Sequence, residues 1–356
     1  TERVILEFMG GGACWNELTC GLRTSTFSEN IEGVRSMWLR GQKAVPDGYD
    51  KAAGESTFAW NSGLGDPSTS NTFADWSHVY VPYCTGDLHW GDNDVDYLPG
   101  LTIKHRGAVN AGAAVDWMVS NFVAPKTVFV TGCSAGSYAS VYWASKVAVA
   151  YQTVSPTTKV VQYGDSGAGI ITDSFLDSYK NWNSAKNMPW DIFPLALQGD
   201  KSNERLTNYT LVDFYRYGAE HFPQHTYSQF NTQYDNNQAF FWLSMKNSHV
   251  RAPSEPSEVD KRLWGDLFRL QWNGTSETSS VLLSLPNYYS WTGWGDNHCV
   301  VPYNRYWHQD IQSRLLSTWV SELANAANKM VPTKRLVDCR DDGANACDVG
   351  MEVVKS

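Results

Sequence analysis

The stretch Val128-Phe129-Val130-Thr131-Gly132-Cys133-Ser134-Ala135-Gly136-Ser137 decides how this chain is read. An apolar, β-branched run stops at Gly-x-Ser-x-Gly, and an alanine-bearing stretch (Ala139, Ala144, Ala148) follows. The order is strand, sharp turn, helix. A serine at such a turn sits in a strained backbone conformation, and small residues two before and two after it avoid the neighbouring strand and helix. The turn lifts Oγ to a helix N-terminus, where the dipole favours developing negative charge. Gly-x-Ser-x-Gly alone is a weak pattern, and a glycine-rich turn with an incidental serine is the plain alternative. Its place between strand and helix makes Ser134 the candidate nucleophile.

Working outward, strand-like apolar runs occur at 3–8, 78–83, 127–131, 158–164 and 286–292. Helical patterns lie near 103–121, 135–150, 170–182, 207–220 and 258–272, with a long one at 304–327. Alternating strands and helices mean βαβ units, hence an α/β fold: a mostly parallel sheet flanked by helices on both faces. Ligands of such sheets bind beyond the carboxyl ends of the strands, so working residues should follow strands directly. We read residues 1–356 as a single domain with a polar insertion at about 41–75 and a cysteine-bearing tail at about 331–356.

Bulk composition agrees. Of 356 residues, 42% are hydrophobic and 18% charged, the balance of a chain that buries a large core rather than a disordered one. The 28 Lys and Arg against 37 Asp and Glu leave a formal charge of −9 and no basic run, which argues against a nucleic-acid partner. No apolar run approaches the roughly 20 residues of a transmembrane helix. The numbering begins almost at the strand-like run Val4-Ile5-Leu6-Glu7-Phe8, so any export signal is expected to have been removed before it. Cysteines stand at 14, 20, 84, 133, 299, 339 and 347. Cys14/Cys20 and Cys339/Cys347 are each close enough to close a short loop, whereas Cys133 and Cys299, beside candidate site residues, read as buried thiols. No Cys-x-x-Cys or paired-histidine spacing suggests a metal. The sequons at Asn208 and Asn273, with the cysteines, point to a secreted, extracellular or periplasmic protein.

Acyl transfer from Ser134 would need backbone N–H donors for an oxyanion. Ala135, directly after the serine, supplies one; the glycine-rich run Gly10-Gly11-Gly12-Ala13-Cys14-Trp15 after the first strand supplies another. A phosphate loop is disfavoured because Gly-x-Gly-x-x-Gly and Gly-Lys-Ser/Thr are absent. His298 is the candidate base: it follows a late strand through Thr292-Gly293-Trp294-Gly295-Asp296-Asn297 and precedes the last helical pattern. His221 and His225 flank Pro223 and read as loop or helix-end residues. For the acid that orients the imidazole, Asp235 lies in a polar loop ahead of an aromatic run. Asp266 reads as a helix surface charge, and Asp296 is close to His298 in sequence. A rival nucleophile, Ser166 in Gly164-Asp165-Ser166-Gly167, imitates the serine segment of chymotrypsin-like proteases. Those need Ala-Ala-His-Cys upstream and an all-β chain, so Asp165 and Ser166 read as pocket lining.

Five motifs now stand in order: Gly-Gly-Gly-Ala-Cys-Trp-Asn at 10–16, Gly-Cys-Ser-Ala-Gly at 132–136, Asp-Ser-Gly at 165–167, Tyr-Asp-x-x-Gln at 234–238 and Asn-His-Cys at 297–299. Together they resemble the pectin acetylesterase family, which includes the Notum carboxylesterases, from residue 4 to about 325. The resemblance implies an α/β-hydrolase-like fold, a serine carboxylic ester hydrolase without metal or other cofactor, and a triad of Ser134, Asp235 and His298. It implies an oxyanion hole from Gly11, Gly12 and Ala135, and a Cys14–Cys20 disulfide beside it. The implied substrate is an acylated, chiefly acetylated, polysaccharide or small ester; feruloyl, fatty-acyl and polyester substrates are alternatives, and a non-catalytic carbohydrate-binding protein on the same scaffold is a further one. Ala13, Trp15, Trp90, Asp165, Ser166 and Trp294 are the expected pocket residues, and Trp15, Trp90, Trp291 and Trp294 are the tryptophans near the motif loops. The 41–75 insertion and Thr85-Gly86-Asp87-Leu88-His89-Trp90 are expected to shape the pocket mouth.

Overall fold

A computed structural model of the chain describes residues 2–21, 26–27, 63–66, 71–172, 175, 179–194, 209–247, 255–303, 310–311, 314–325 and 333–337. Most of the 41–75 insertion, Asn208 and the tail with Cys339 and Cys347 lie outside the described residues.

The centre is a seven-stranded sheet whose paired strands all run parallel. In chain order, the strands discussed are β1 (Arg3–Phe8), β2 (Ser77–Val81), β3 (Asn93–Leu98), β4 (Leu101–His105), β5 (Thr127–Cys133), β6 (Lys159–Asp165), β7 (Tyr227–Thr232), β8 (Tyr288–Gly293), β9 (Asp310–Ile311), β10 (Arg314–Leu315) and β11 (Arg335–Val337). The sheet order is β11-β8-β7-β6-β5-β1-β2; β3 and β4 form a separate hairpin, as do β9 and β10. Strand β5, which leads into Ser134, lies between β1 and β6, buried along its length apart from its first residue.

Alternation along the strands explains the two layers. Val4, Leu6, Phe8, Val128, Val130 and Val160 join one core cluster. Their neighbours Ile5, Phe129, Val161 and Tyr163 join the other. Successive side chains of a strand point to opposite faces, so a sheet covered on both faces needs apolar residues at both parities. The first face is covered by helix α1 (Ala135–Val154), whose Ala139, Ala144 and Ala148 let it lie close to the sheet. The second is covered by α2 (Leu316–Ala324), through Leu316, Trp319 and Val320, together with Leu64, Phe73 and Trp76.

Several local expectations are corrected. The helix expected over 103–121 begins only at Gly107, because Leu101–His105 pairs with Asn93–Leu98 as a hairpin. The long helix expected over 304–327 is shorter: the described part contains the β9–β10 hairpin and then Leu316–Ala324. Over 170–182, the described residues carry a helix only at Tyr179–Trp182, apart from an isolated helical Phe175. Cys133 and Cys299 are joined as a disulfide, not separate thiols; their Cα atoms lie 5.6 Å apart, inside the usual range for a bridge. Parallel register sets this up, because Cys133 ends β5 opposite Asp165 of β6, at the edge where the His298 loop crosses. Cys14 and Cys20 are also bridged, and Cys84 is the free thiol among the described residues. No helix among them is long and apolar enough to cross a membrane.

Candidate active site

Ser134 stands between the last residue of β5 and the first of α1, with φ 56° and ψ −122°. L-residues rarely adopt that conformation, and the surrounding contacts impose it. A Cβ on Gly136 would meet the Phe8 carbonyl oxygen at 2.0 Å, and one on Gly132 would meet the Gly136 oxygen at 2.5 Å. The elbow is therefore closed by backbone touching backbone, which is why small residues flank the serine. Its amide donates to the Asp165 carbonyl (2.9 Å), tying the turn to β6.

His298 and Asp235, 63 positions apart, meet. His298 Nδ1 lies 2.9 Å from each Asp235 oxygen. A carboxylate only accepts, so Nδ1 carries the proton and Nε2 is the ring nitrogen suited to receive one. Asp235 is fully buried and does a second job. It caps helix α3 (Asn236–Lys246), its Oδ1 accepting from the Gln238 amide (2.9 Å) and its Oδ2 from Gln238 Nε2 (2.9 Å). The Gln238 Oε1 in turn accepts from Ala168 N at 2.7 Å. Asp235 thus begins a helix directly behind strand β7, where a loop was expected. Asp266 pairs with Arg269, and Asp296, more than half exposed, lies 3.6 Å from Lys261; neither is placed against His298 by these contacts.

The segment after His298 is held by Asp165 and Ser166. Asp165 Oδ2 accepts from Val300 N (2.8 Å) and Val301 N (2.9 Å). Ser166 Oγ accepts from Cys299 N (3.0 Å) and donates to Asp165 Oδ1 (3.0 Å). Burial pushes the Asp165 carboxyl above its ordinary pKa, and the amides of Val301 and Val300 and the Ser166 hydroxyl pull it back. Ser166 hydrogen-bonds as a structural hydroxyl. The role of Asp165 as a loop anchor has no periodic signal in the sequence.

Ser134, Ala135, Gly12, Ala13, Ser166 and His298 line one cavity that opens to solvent. Apolar walls come from Trp15, Leu88, Ile170, Phe175, Phe241 and Trp264. Of the expected pocket residues, Ala13, Trp15 and Ser166 line it. Asp165 faces the backbone behind it, Trp90 is buried against Tyr142 and Phe214, and Trp294 packs on Tyr234. Gly11 and Gly12 follow β1 with φ 140° and 75°. Leu88 comes from the Thr85–Trp90 loop expected at the pocket mouth, whereas Phe175, Phe241 and Trp264 are pocket residues that no sequence motif marks; their apolar character is indistinguishable from that of core residues. The cysteine–histidine groupings Cys14/Cys20/His105 and Cys133/His298/Cys299 have both sulfurs committed to disulfides, so neither offers thiolate ligands.

Residues 52–250 match a family model described as Pectinacetylesterase. The matched span includes Ser134 and Asp235 and ends before His298. No curated protein matches the chain.

Proposed function

The chain belongs to the pectinacetylesterase family, a family of carboxylic ester hydrolases, and on that premise we propose that it removes acetyl groups from an acylated polysaccharide or small ester through a triad of Ser134, His298 and Asp235. The observation that carries this is the His298–Asp235 pair at 2.9 Å, whose imidazole lines the same cavity as the strained Ser134.

In the proposed sequence, His298 Nε2 takes the Ser134 proton as Oγ attacks the ester carbonyl. The oxyanion accepts N–H bonds from Ala135 and the Gly11–Gly12 stretch. Protonated His298 gives its proton to the leaving alcohol, and water then repeats the steps on the acyl-serine to release the acid. Asp235 holds the Nδ1–H tautomer and balances the imidazolium charge. The disulfides fit an oxidising compartment, so we read the protein as secreted or periplasmic.

A second reading concerns the acyl group alone. Walls made of Phe175, Phe241, Trp264 and Ile170 offer apolar surface beside Ser134 against which a longer or aromatic acyl group could pack. A series of p-nitrophenyl esters from acetate to decanoate, run beside acetylated pectin and xylan, separates the two. Acetate preference supports the first reading, and kcat/KM rising with chain length supports the second. Ser134→Ala should lower kcat by about 10⁴-fold or more. Turnover by that variant within tenfold of the wild type refutes the mechanism.

A further inference from the structure

The oxyanion loop has an unusual mechanical problem. Gly11 and Gly12 both have positive φ, and glycine imposes little preference of its own on peptide orientation. Something outside the loop must hold those peptides still.

The segment Tyr83–Gly91 is placed to do it. His89 Nε2 lies 2.9 Å from the Met9 carbonyl, ahead of the glycines. The Tyr83 hydroxyl donates to the Gly12 carbonyl (3.0 Å), and the Gly86 carbonyl accepts from Cys14 N (2.9 Å). These contacts bracket the loop at both ends. Tyr83 also accepts from Leu88 N (2.9 Å), so its single hydroxyl proton is left for Gly12. A carbonyl only accepts, so His89 carries its proton on Nε2; its burial, which pushes its pKa down to about 4, keeps it neutral. The two rings stack at 4.5 Å. Leu88 and His89 themselves have φ 57° and 62°, and the buried Asp87 carboxylate secures that turn by accepting from His89 N (3.1 Å), Gly107 N (2.7 Å) and Thr85 Oγ1 (2.6 Å). In a planar trans peptide the carbonyl and the next N–H point opposite ways, so fixing the Gly12 oxygen also fixes the Ala13 N–H. Gly12 and Ala13 both line the cavity with Ser134.

We infer that Tyr83 and His89 are positioning residues of the oxyanion hole: by fixing the Met9–Gly10 and Gly12–Ala13 peptides at the two ends of the glycine run, they set from behind how the amides between them face the cavity. The inference rests on the esterase reading. Electrostatic stabilisation of this kind works because the donors are already aimed when charge develops, so loosening them costs rate rather than substrate binding.

The test uses Tyr83→Phe, which removes only the hydroxyl, and the pair His89→Gln and His89→Phe, which keep and remove a side-chain donor. Wild type and Ser134→Ala are assayed first on p-nitrophenyl acetate. Tyr83→Phe should lower kcat by about 10- to 100-fold with KM within about threefold. The Ki of a trifluoromethyl ketone, which forms a tetrahedral oxyanion on the serine, should rise by the same factor as kcat/KM falls. His89→Phe should behave likewise, with His89→Gln recovering part of the loss. A purely structural role would lower the active fraction and leave KM and the ketone Ki unchanged. That result, or a Tyr83→Phe enzyme within twofold of wild type in both, overturns the inference while leaving the esterase standing. A wild type without Ser134-dependent turnover removes both. If Tyr83→Phe fails to fold, the His89 pair still decides.

Discussion

Replacing Asp235 by asparagine exchanges one carboxylate oxygen for an amide nitrogen in a buried site where the described partners are donors. Oδ1 accepts from Gln238 N and His298 Nδ1, and Oδ2 from Gln238 Nε2 and the same Nδ1, all at 2.9 Å. Whichever position the new amide takes, it faces a donor. Turning the Gln238 side chain over would bring its oxygen round but would forfeit the bond its Oε1 accepts from Ala168 N. The fold should therefore lose about one charge-assisted hydrogen bond, about 1.5–3 kcal/mol. Asparagine keeps most of the helix-capping ability, which limits the damage to that range.

The rate should fall further than the fold. If the amide nitrogen faces His298, the ring must accept at Nδ1 and carry its proton on Nε2, where it can no longer take one from Ser134. If the oxygen faces it, the tautomer survives but the imidazolium loses its countercharge. Either way kcat should drop about 10²- to 10⁴-fold, or about 3–5.5 kcal/mol of barrier. Urea unfolding followed by tryptophan fluorescence gives the stability change, and p-nitrophenyl acetate turnover at matched folded fraction gives the rate. An Asp235→Asn enzyme within threefold of wild-type kcat would refute the assignment. So would a larger loss from Asp266→Ala or Asp296→Ala than from Asp235→Asn.

Two other outcomes are expected. A Cβ on Gly10 would sit 2.6 Å from the Cys133 carbonyl oxygen and 3.3 Å from Ser134 Cβ. Gly10→Ala should therefore push the glycine strand off the elbow and cost at least about tenfold in kcat; unchanged kinetics would show that the strand can give way. His225 is pushed down to about 4 by burial, with Lys159 adding to the shift, so the unfolded chain binds the proton more tightly. Its contribution is complete above an unfolded pKa of about 6.5 and is lost as pH falls towards 4, about 3 kcal/mol at ~1.4 kcal/mol per unit. In denaturant unfolding across that window, His225→Gln should show a shallower acid loss than wild type, and parallel curves would contradict the shift.

What the sequence reveals depends on whether a residue's role leaves a local signature. The strand–Gly-x-Ser-x-Gly–helix run does, because the elbow's steric demand falls on residues next to one another, and the strands at 3–8, 77–81, 127–133, 159–165 and 288–293 lie close to the apolar runs. Tyr227–Thr232 does not. All six residues are buried, yet Ser228, Gln229 and Asn231 are polar, satisfied by Gln162 and by one another, so neither an apolar run nor an alternation marks the strand. Missing that strand makes Asp235 look like a loop residue, when it begins a helix at a strand's carboxyl end. The Cys133–Cys299 bridge spans 166 positions and follows from strand order, which no spacing encodes.

The same long-range logic explains why Gly164-Asp165-Ser166-Gly167 resembles a nucleophile segment without being placed as one. Ser134, Ser166 and Cys299 have φ of 56°, 59° and 54°, each a conformation costing about 1–3 kcal/mol unless its surroundings impose it. Each is held by another of the three segments. Ser134 N donates to the Asp165 carbonyl, Cys299 N donates to Ser166 Oγ, and Cys133 is bonded to Cys299. Asp165 extends the hold to Val300 and Val301, the residues that carry the chain away from His298. Strand β5, its neighbour β6 and the His298 loop therefore form one interlocked unit, although they lie more than 100 positions apart in sequence at their extremes. A serine in that middle segment is fully buried and bonded on both sides, so its hydroxyl is engaged in holding the His298 loop.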